Sequence, residues 1–341
     1  MLRLSTKTIV RQRRYKRQEG KNFGMMGNYM KKLLFLSIIL ICMTFLLILS
    51  TFEGGVKNEL ISPLFKKEKV LGINQWFPKA VSGKDVNAPE ISSKAAFFID
   101  GIGGGAIFSK NIHERLPVAS LVKVMTVLIA LENTGMDEKY MVSQRATEME
   151  PDEMILLAGE TLTLKELLYG IFLISANDAA EVLAEGTLRQ AQGKQAGRDE
   201  FIKLMNDKAK QLGMENSYFA NPTGLDEDLG NSYSTAYDLA ILTRYLIKNY
   251  PQVVDISKTE HIILPKTENH QDYEMYSGIN LLTTYPGVVG FKTGYTPEAG
   301  LTLITLAQKN GKEVIGILLG SENRRDEARE LLDYSFGKLI E

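Results

Sequence analysis

The apolar positions of this chain change rhythm several times, and each change marks an expected element. From Leu33 to Leu49 they form one uncharged run, "LLFLSIILICMTFLLIL". A run of about 17 residues is the lower limit for a bilayer span. From 52 to 86 no period is sustained, which reads as a tether. Order resumes at "KAAFFIDGIGGGAIFSKN". Two short runs, Ala95 to Ile99 and Ala106 to Phe108, flank a glycine cluster and predict a hairpin. Helical spacing follows over 119–133, again from Thr163 through "LTLKELLYGIFLIS", and again in "DEFIKLMNDKAKQLGM". In the last of these, Phe201, Leu204, Met205, Ala209 and Leu212 share a face and Gly213 is the stop. "STAYDLAILTRYLIKNY" predicts a further helix capped by Ser234 or Thr235. The polar stretch "RQAQGKQAGRD" (189–199) reads as a surface insertion. Near the end come strand-like runs, "GVVGFKTGYT", "LTLITLAQKNG" and "EVIGILLGS", the last two joined by the turn signal "KNGK". An amphipathic helix, "RRDEARELLDYSFGKLI", closes the chain. A helical middle, a late run of strands and a closing helix predict an α+β domain built on an antiparallel sheet.

Charge sharpens the N-terminal picture. The net charge of -1 hides ten Lys or Arg and one acid within residues 1–32, which leaves the remainder near -10. So acidic a body is a poor polyanion binder and argues against nucleic acid as a partner. Basic residues before an apolar run place that side in the cytoplasm. The expected organisation is a basic cytoplasmic tail (1–32), a transmembrane anchor or signal segment (33–51), a tether (52–86) and an extracytoplasmic domain (87–341). "STFEGG" offers no A-x-A-like cleavage site, so an uncleaved anchor in the cell membrane is the favoured form, with secretion as the outcome if it is cut. Cys42, the only cysteine, lies in the apolar run, which excludes a disulfide framework in the domain.

The chemistry is sparse in the usual bases. The three histidines, His113, His261 and His270, stand in no zinc-binding spacing, and each reads as a surface or packed side chain. The glycines of "GIGGGAIFSK" lead into strand-like residues, not into the helix a nucleotide-binding loop requires. A lone ammonium, Lys123, stands in "PVASLVKVMTVLIALE", between Arg115 and Glu132. A helix apolar all round is buried. Ser120 and Lys123, at i and i+3, share one face of it. Burial lowers an amine's pKa, and a neutral lysine beside a serine hydroxyl is a general base. The same pattern also fits a helix cap with a snorkelling lysine. Ser175 and Asn177, in "LISANDAAEVLAE", sit where one apolar run meets the next helix; they can face one cleft, or simply cap the helix. Lys292 and Thr293 precede Gly294 in a strand, a pattern for holding a carboxylate or for a bulge with a solvated lysine.

In this order, S-x-x-K, S-x-N and K-T-G resemble the signature of penicillin-recognising serine enzymes. With "RLPVASLVKVMT", "LGMENSYFANPTGLD", "STAYDLA" and "GFKTGYTPEAGLTLI", residues 87–338 look like a D-alanyl-D-alanine carboxypeptidase of the low-molecular-weight penicillin-binding family. The resemblance implies a β-lactamase/transpeptidase-like fold, an antiparallel sheet flanked by helices with a mostly helical subdomain. It implies Ser120 as the acylated nucleophile, Lys123 as its base and Ser175 as a proton relay. Asn177 would contact the bound peptide. Lys292 and Thr293, with Gly294, would hold the terminal carboxylate, and the backbone N–H groups of Ser120 and Tyr295 would form the oxyanion hole. The implied partners are the peptidoglycan stem peptide ending in D-Ala-D-Ala and β-lactams that mimic it, with no metal or cofactor. Many members carry a β-rich second domain and a C-terminal amphipathic membrane helix. This chain stops at Glu341, so its N-terminal segment is expected to supply the attachment. A class A β-lactamase would need E-x-x-x-N after S-x-N, and Phe219 stands four residues after Glu215. A DD-endopeptidase or a non-catalytic β-lactam sensor would carry the same three motifs.

Overall fold

The computed structural model describes residue 37 and residues 86–340, apart from 193–196 and 227–230. The expected tail, the anchor with Cys42 and the tether lie outside the described residues, except Ser37 and Val86. Among the described residues, no helix is long and apolar enough to cross a membrane.

The described chain begins with strands β1 (Ala95–Asp100), β2 (Ala106–Lys110) and β3 (Leu116–Pro117). A 3-10 turn, Ala119–Val122, opens into α1 (Lys123–Asn133). Strands β4 (Lys139–Met141) and β5 (Thr161–Thr163) pair and lead to α2 (Leu164–Leu173), α3 (Asn177–Gln192) and α4 (Arg198–Gln211). After β6 (Tyr233–Ser234) come α5 (Ala236–Asn249), α6 (Gln252–Ser257), the hairpin of β7 (His261–Leu264) and β8 (Tyr273–Tyr276), and the short α7 (Leu281–Thr284). Strands β9 (Val288–Thr296), β10 (Gly300–Lys309) and β11 (Lys312–Ser321) precede α8 (Arg324–Ile340).

The five-stranded sheet runs β2-β1-β11-β10-β9, antiparallel throughout. Its inner strands are buried on both faces, so alternate side chains enter two separate cores. From β1, Phe97 and Ile99 join the large core with the helical region, while Ala96 and Phe98 join the smaller core under α8, with Leu303, Leu318, Leu331 and Phe336. The turn expected at "KNGK" puts Asn310 at φ 53 and Gly311 at φ 72, the left-handed pair that matches strand twist in a two-residue hairpin. Of the two cap candidates at α5, Thr235 is the one used, accepting from the Asp238 N–H at 3.0 Å. Thr163 and Glu166 close a capping box on α2. Of the polar stretch 189–199, the first residues extend α3 to Gln192, and α4 begins at Arg198.

Candidate active site

The site forms where the start of α1, the α2–α3 junction, the 221–224 loop and edge strand β9 meet. Ala119 has φ 49, and this left-handed step turns the chain out of β3 into the 3-10 turn that carries Ser120. The bend is held from two sides. A Cβ on Gly224 would lie 2.0 Å from the Ala119 carbonyl oxygen, and one on Gly294 would lie 2.9 Å from the Ser120 nitrogen. Glycine at both positions lets the two backbones touch the turn that carries Ser120.

Lys123 is fully buried. Its Nζ lies 2.8 Å from Ser120 Oγ, 2.7 Å from Asn177 Oδ1 and 2.8 Å from the Thr223 carbonyl oxygen. Burial holds this amine well below its ordinary value, and the charge of Lys292 pushes the same way. A neutral amine has two N–H bonds and one lone pair. The amide and carbonyl oxygens can only accept, so they take both hydrogens. The lone pair is then left for the Ser120 hydroxyl, which is the geometry of a base with its proton donor.

The second pair repeats the motif. Lys292 Nζ donates to Ser175 Oγ at 2.8 Å and to the Thr293 carbonyl oxygen at 2.6 Å. Burial brings Lys292 to about 7, and the Arg324 charge contributes. Ser175 is buried and sits at φ 63. That left-handed residue breaks α2 from α3 and aims the hydroxyl at β9. Lys292 is therefore buried and turned toward Ser175. A further cation beside Thr293 is Arg324, at the start of α8. It donates to the Gly294 and Thr302 carbonyl oxygens at 2.7 and 3.2 Å, and it lines a cavity with Thr293, Asn280, Leu281 and Arg325. Gly294 packs on Ser120, and Tyr295 is exposed on the edge strand.

Asn177 is also turned inward. Its Oδ1 faces Lys123 while its Nδ2 donates to the Glu150 carbonyl oxygen at 2.8 Å. The structure thus brings together Ser120, Lys123, Ser175, Asn177, Lys292, Thr293, Gly294 and Tyr295. Sequence reasoning missed Thr223, Gly224 and Arg324. The first two lie in "NPTG", where a Pro-Thr-Gly turn was the only signal; nothing in the sequence distinguishes Arg324 from its neighbour Arg325. The histidines lie elsewhere: His113 against Tyr237, His261 against Glu274 and Tyr276, and His270 packed beside Glu166.

Known proteins resemble this chain. The Bacillus subtilis D-alanyl-D-alanine carboxypeptidase DacF is 34% identical over 264 residues, 75% of this chain and 65% of the relative. A D-alanyl-D-alanine carboxypeptidase of a Streptomyces species is 30% identical over 265 residues, 74% of this chain and 89% of the relative. The chain thus spans just under two thirds of the Bacillus protein and most of the Streptomyces one. Among solved structures, a D-alanyl-D-alanine carboxypeptidase from Mycobacterium tuberculosis superposes with a TM-score of 0.67 at 27% identity, covering 76% of this chain and 96% of its own. A Streptomyces DD-transpeptidase does so with 0.66 at 28%, covering 73% and 99%. The sheet with flanking helices is thus the penicillin-binding fold. The Peptidase_S11 family model, described as D-alanyl-D-alanine carboxypeptidase, matches residues 82–323 and so takes in Ser120, Ser175 and Lys292 alike, and the chain belongs to that family of serine peptidases.

Proposed function

We propose that this protein is a serine-type D-Ala-D-Ala carboxypeptidase that removes the terminal D-alanine from peptidoglycan stem peptides and is acylated by β-lactams. The observation that carries this reading is the triple coordination of buried Lys123 Nζ, which leaves its lone pair for Ser120 Oγ. In the proposed cycle Lys123 takes the Ser120 proton as Oγ bonds to the carbonyl carbon of the penultimate D-alanine. The oxyanion lies between the N–H groups of Ser120 and Tyr295. The breaking peptide bond needs one proton on its nitrogen. Ser175 Oγ gives it and is refilled by Lys292, whose value of about 7 suits both giving and taking a proton. Free D-alanine leaves. Water then attacks the ester, passes its proton through Ser175 back to Lys292, and Lys123 returns a proton to Ser120 Oγ. Thr293 and Arg324 line the seat for the terminal carboxylate, while Asn177 serves the base directly.

We further assign residues 1–32 to the cytoplasm, 33–51 to a membrane anchor or signal segment, 52–86 to a tether and 87–341 to the extracytoplasmic peptidase domain. The basic flank and the uncharged run support this. The likeness to a DD-transpeptidase favours one second reading, transfer of the acyl group to an amine. The deciding experiment is intact mass after incubation with penicillin, together with D-alanine release from a pentapeptide. The native chain gains one adduct and releases D-alanine; Ser120→Ala does neither. An adduct on Ser120→Ala removes the assignment of the nucleophile. Release from crosslinked dimers reveals endopeptidase action, and a product joined to an added amine reveals transfer. Membrane-pellet recovery that survives carbonate extraction tests the anchor.

A further inference from the structure

The amide of Asn177 can serve Lys123 only one way round. Turned over, it would point Nδ2 at an amine that needs an acceptor there. What sets its direction is the 150–156 segment. The Glu150 carbonyl oxygen takes the Nδ2 hydrogen at 2.8 Å, and the Asp152 carbonyl oxygen takes the Asn177 backbone N–H at 2.7 Å. Within that segment Met154 and Leu156 are buried in the large core, and Gln271 Nε2 donates to the Ile155 carbonyl oxygen at 3.1 Å. Ile155 has φ 64, a left-handed conformation that a β-branched residue disfavours, and it is 66% exposed, so its own side chain does not hold it there. The neighbouring N–H groups of Met154 and Leu156 point to one carboxylate, Asp178, at 3.0 Å to Oδ1 and 3.1 Å to Oδ2. Asp178 is 1% exposed, and Oδ1 also accepts from the Ala179 N–H at 2.8 Å. Its carboxylate clasps both sides of the disfavoured residue.

We propose that Asp178 is a positioning residue for catalysis: by clasping the turn at Ile155 it fixes the Glu150 and Asp152 carbonyls, which orient the Asn177 amide so that Oδ1 faces Lys123 and keeps its lone pair on Ser120. This rests on the assignment of Ser120 and Lys123 made above. An asparagine at 178 keeps the size but offers one acceptor oxygen in place of two.

The test is the rate constant of penicillin acylation, followed by intact mass on the full-length chain, with kcat and KM for D-alanine release. Rates are read only on the fraction that reacts, so unfolded chain does not count. Asp178→Asn slows acylation and kcat about 100-fold, the scale of a misplaced catalytic group, with KM within about twofold. Asn177→Ala gives a loss of similar size. Because both act on one base, the double variant is at most about tenfold slower than Asn177→Ala alone. Ile155→Gly in the Asp178→Asn background recovers about tenfold, since glycine takes the left-handed turn unaided. If Asp178→Asn yields no folded chain, Asp178→Glu, with a carboxylate displaced by one methylene, carries the same comparison. Three results would overturn the proposal: Asp178→Asn within about threefold of the native rate, a double variant whose loss is the product of the single losses, or no recovery with Ile155→Gly. A native chain that forms no adduct instead overturns the assignment of Ser120 on which it rests.

Discussion

Lys292 offers a test of the electrostatics on which the whole site depends. Its amine is buried, and its pKa falls from the ordinary 10.5 to about 7. In the unfolded chain the same amine holds its proton up to about 10.4. Between about 7 and 10.4, then, the unfolded state binds a proton that the folded state does not. Stability therefore rises with pH across that window, and the folded chain is penalised below it. At about 1.4 kcal/mol per pH unit the penalty at neutral pH is on the order of 4 kcal/mol. Lys292→Met removes it. The same change strips Ser175 Oγ and the Thr293 carbonyl oxygen of a donor, each worth about 1–3 kcal/mol, so the two effects nearly cancel at pH 7. The level of stability is thus a poor guide, and its pH dependence is the diagnostic quantity. Urea unfolding followed by circular dichroism between pH 6.5 and 10, on both chains, should show the native curve rising relative to that of Lys292→Met by on the order of 4 kcal/mol. Release of Lys123 from its neighbour's charge acts in the same direction, because that charge helps to hold Lys123 low. Parallel curves would mean that Lys292 keeps an ordinary proton affinity, and the proton route through Ser175 would lose its basis.

The remaining expectations concern the same few atoms. In Lys292→Met, the acid limb of the acylation rate, which follows loss of the neutral Lys123 amine, should move to higher pH; an unmoved limb shows the two amines to be uncoupled. Gly294→Ala places a Cβ 2.9 Å from the Ser120 nitrogen and 2.6 Å from Thr302 Oγ1, and penicillin acylation should slow by about 100-fold or more while the fold survives, as judged by circular dichroism. Gly224→Ala meets the Ala119 carbonyl at 2.0 Å from a φ of 82 and should cost about 2–4 kcal/mol in urea unfolding.

Much of the site was legible along the chain because it is local. Ser120 and Lys123 are one helical turn apart, so a single backbone geometry joins them, and the absence of other charges from Arg115 to Glu132 already placed the amine in a dry setting. The hairpin from Ala95, the "KNGK" turn and a helix cap at Ser234 or Thr235 were likewise decided by neighbours, and each stands in the structure, the cap at Thr235. The helical ends of the 189–199 stretch were not legible because polar Gln and Arg residues extend a helix as readily as they make a loop.

The sequence by itself determined the elements, their order and the placing of Ser120 and Lys123 on one helical face, since these follow from side-chain period and from contacts within a few residues. Which partners surround Lys123 was decided only by the tertiary structure. Lys123 meets Asn177 across 54 positions and the Thr223 carbonyl across 100, and Lys292 reaches Ser175 across 117. Those distances depend on how α1, α2, α3 and β9 pack around one core, and a backbone carbonyl such as that of Thr223 leaves no mark on residue type. The inward turn of Lys292 and the place of Arg324 beside Thr293 have the same origin: packing sets the direction in which a side chain points, and residue spacing does not encode it.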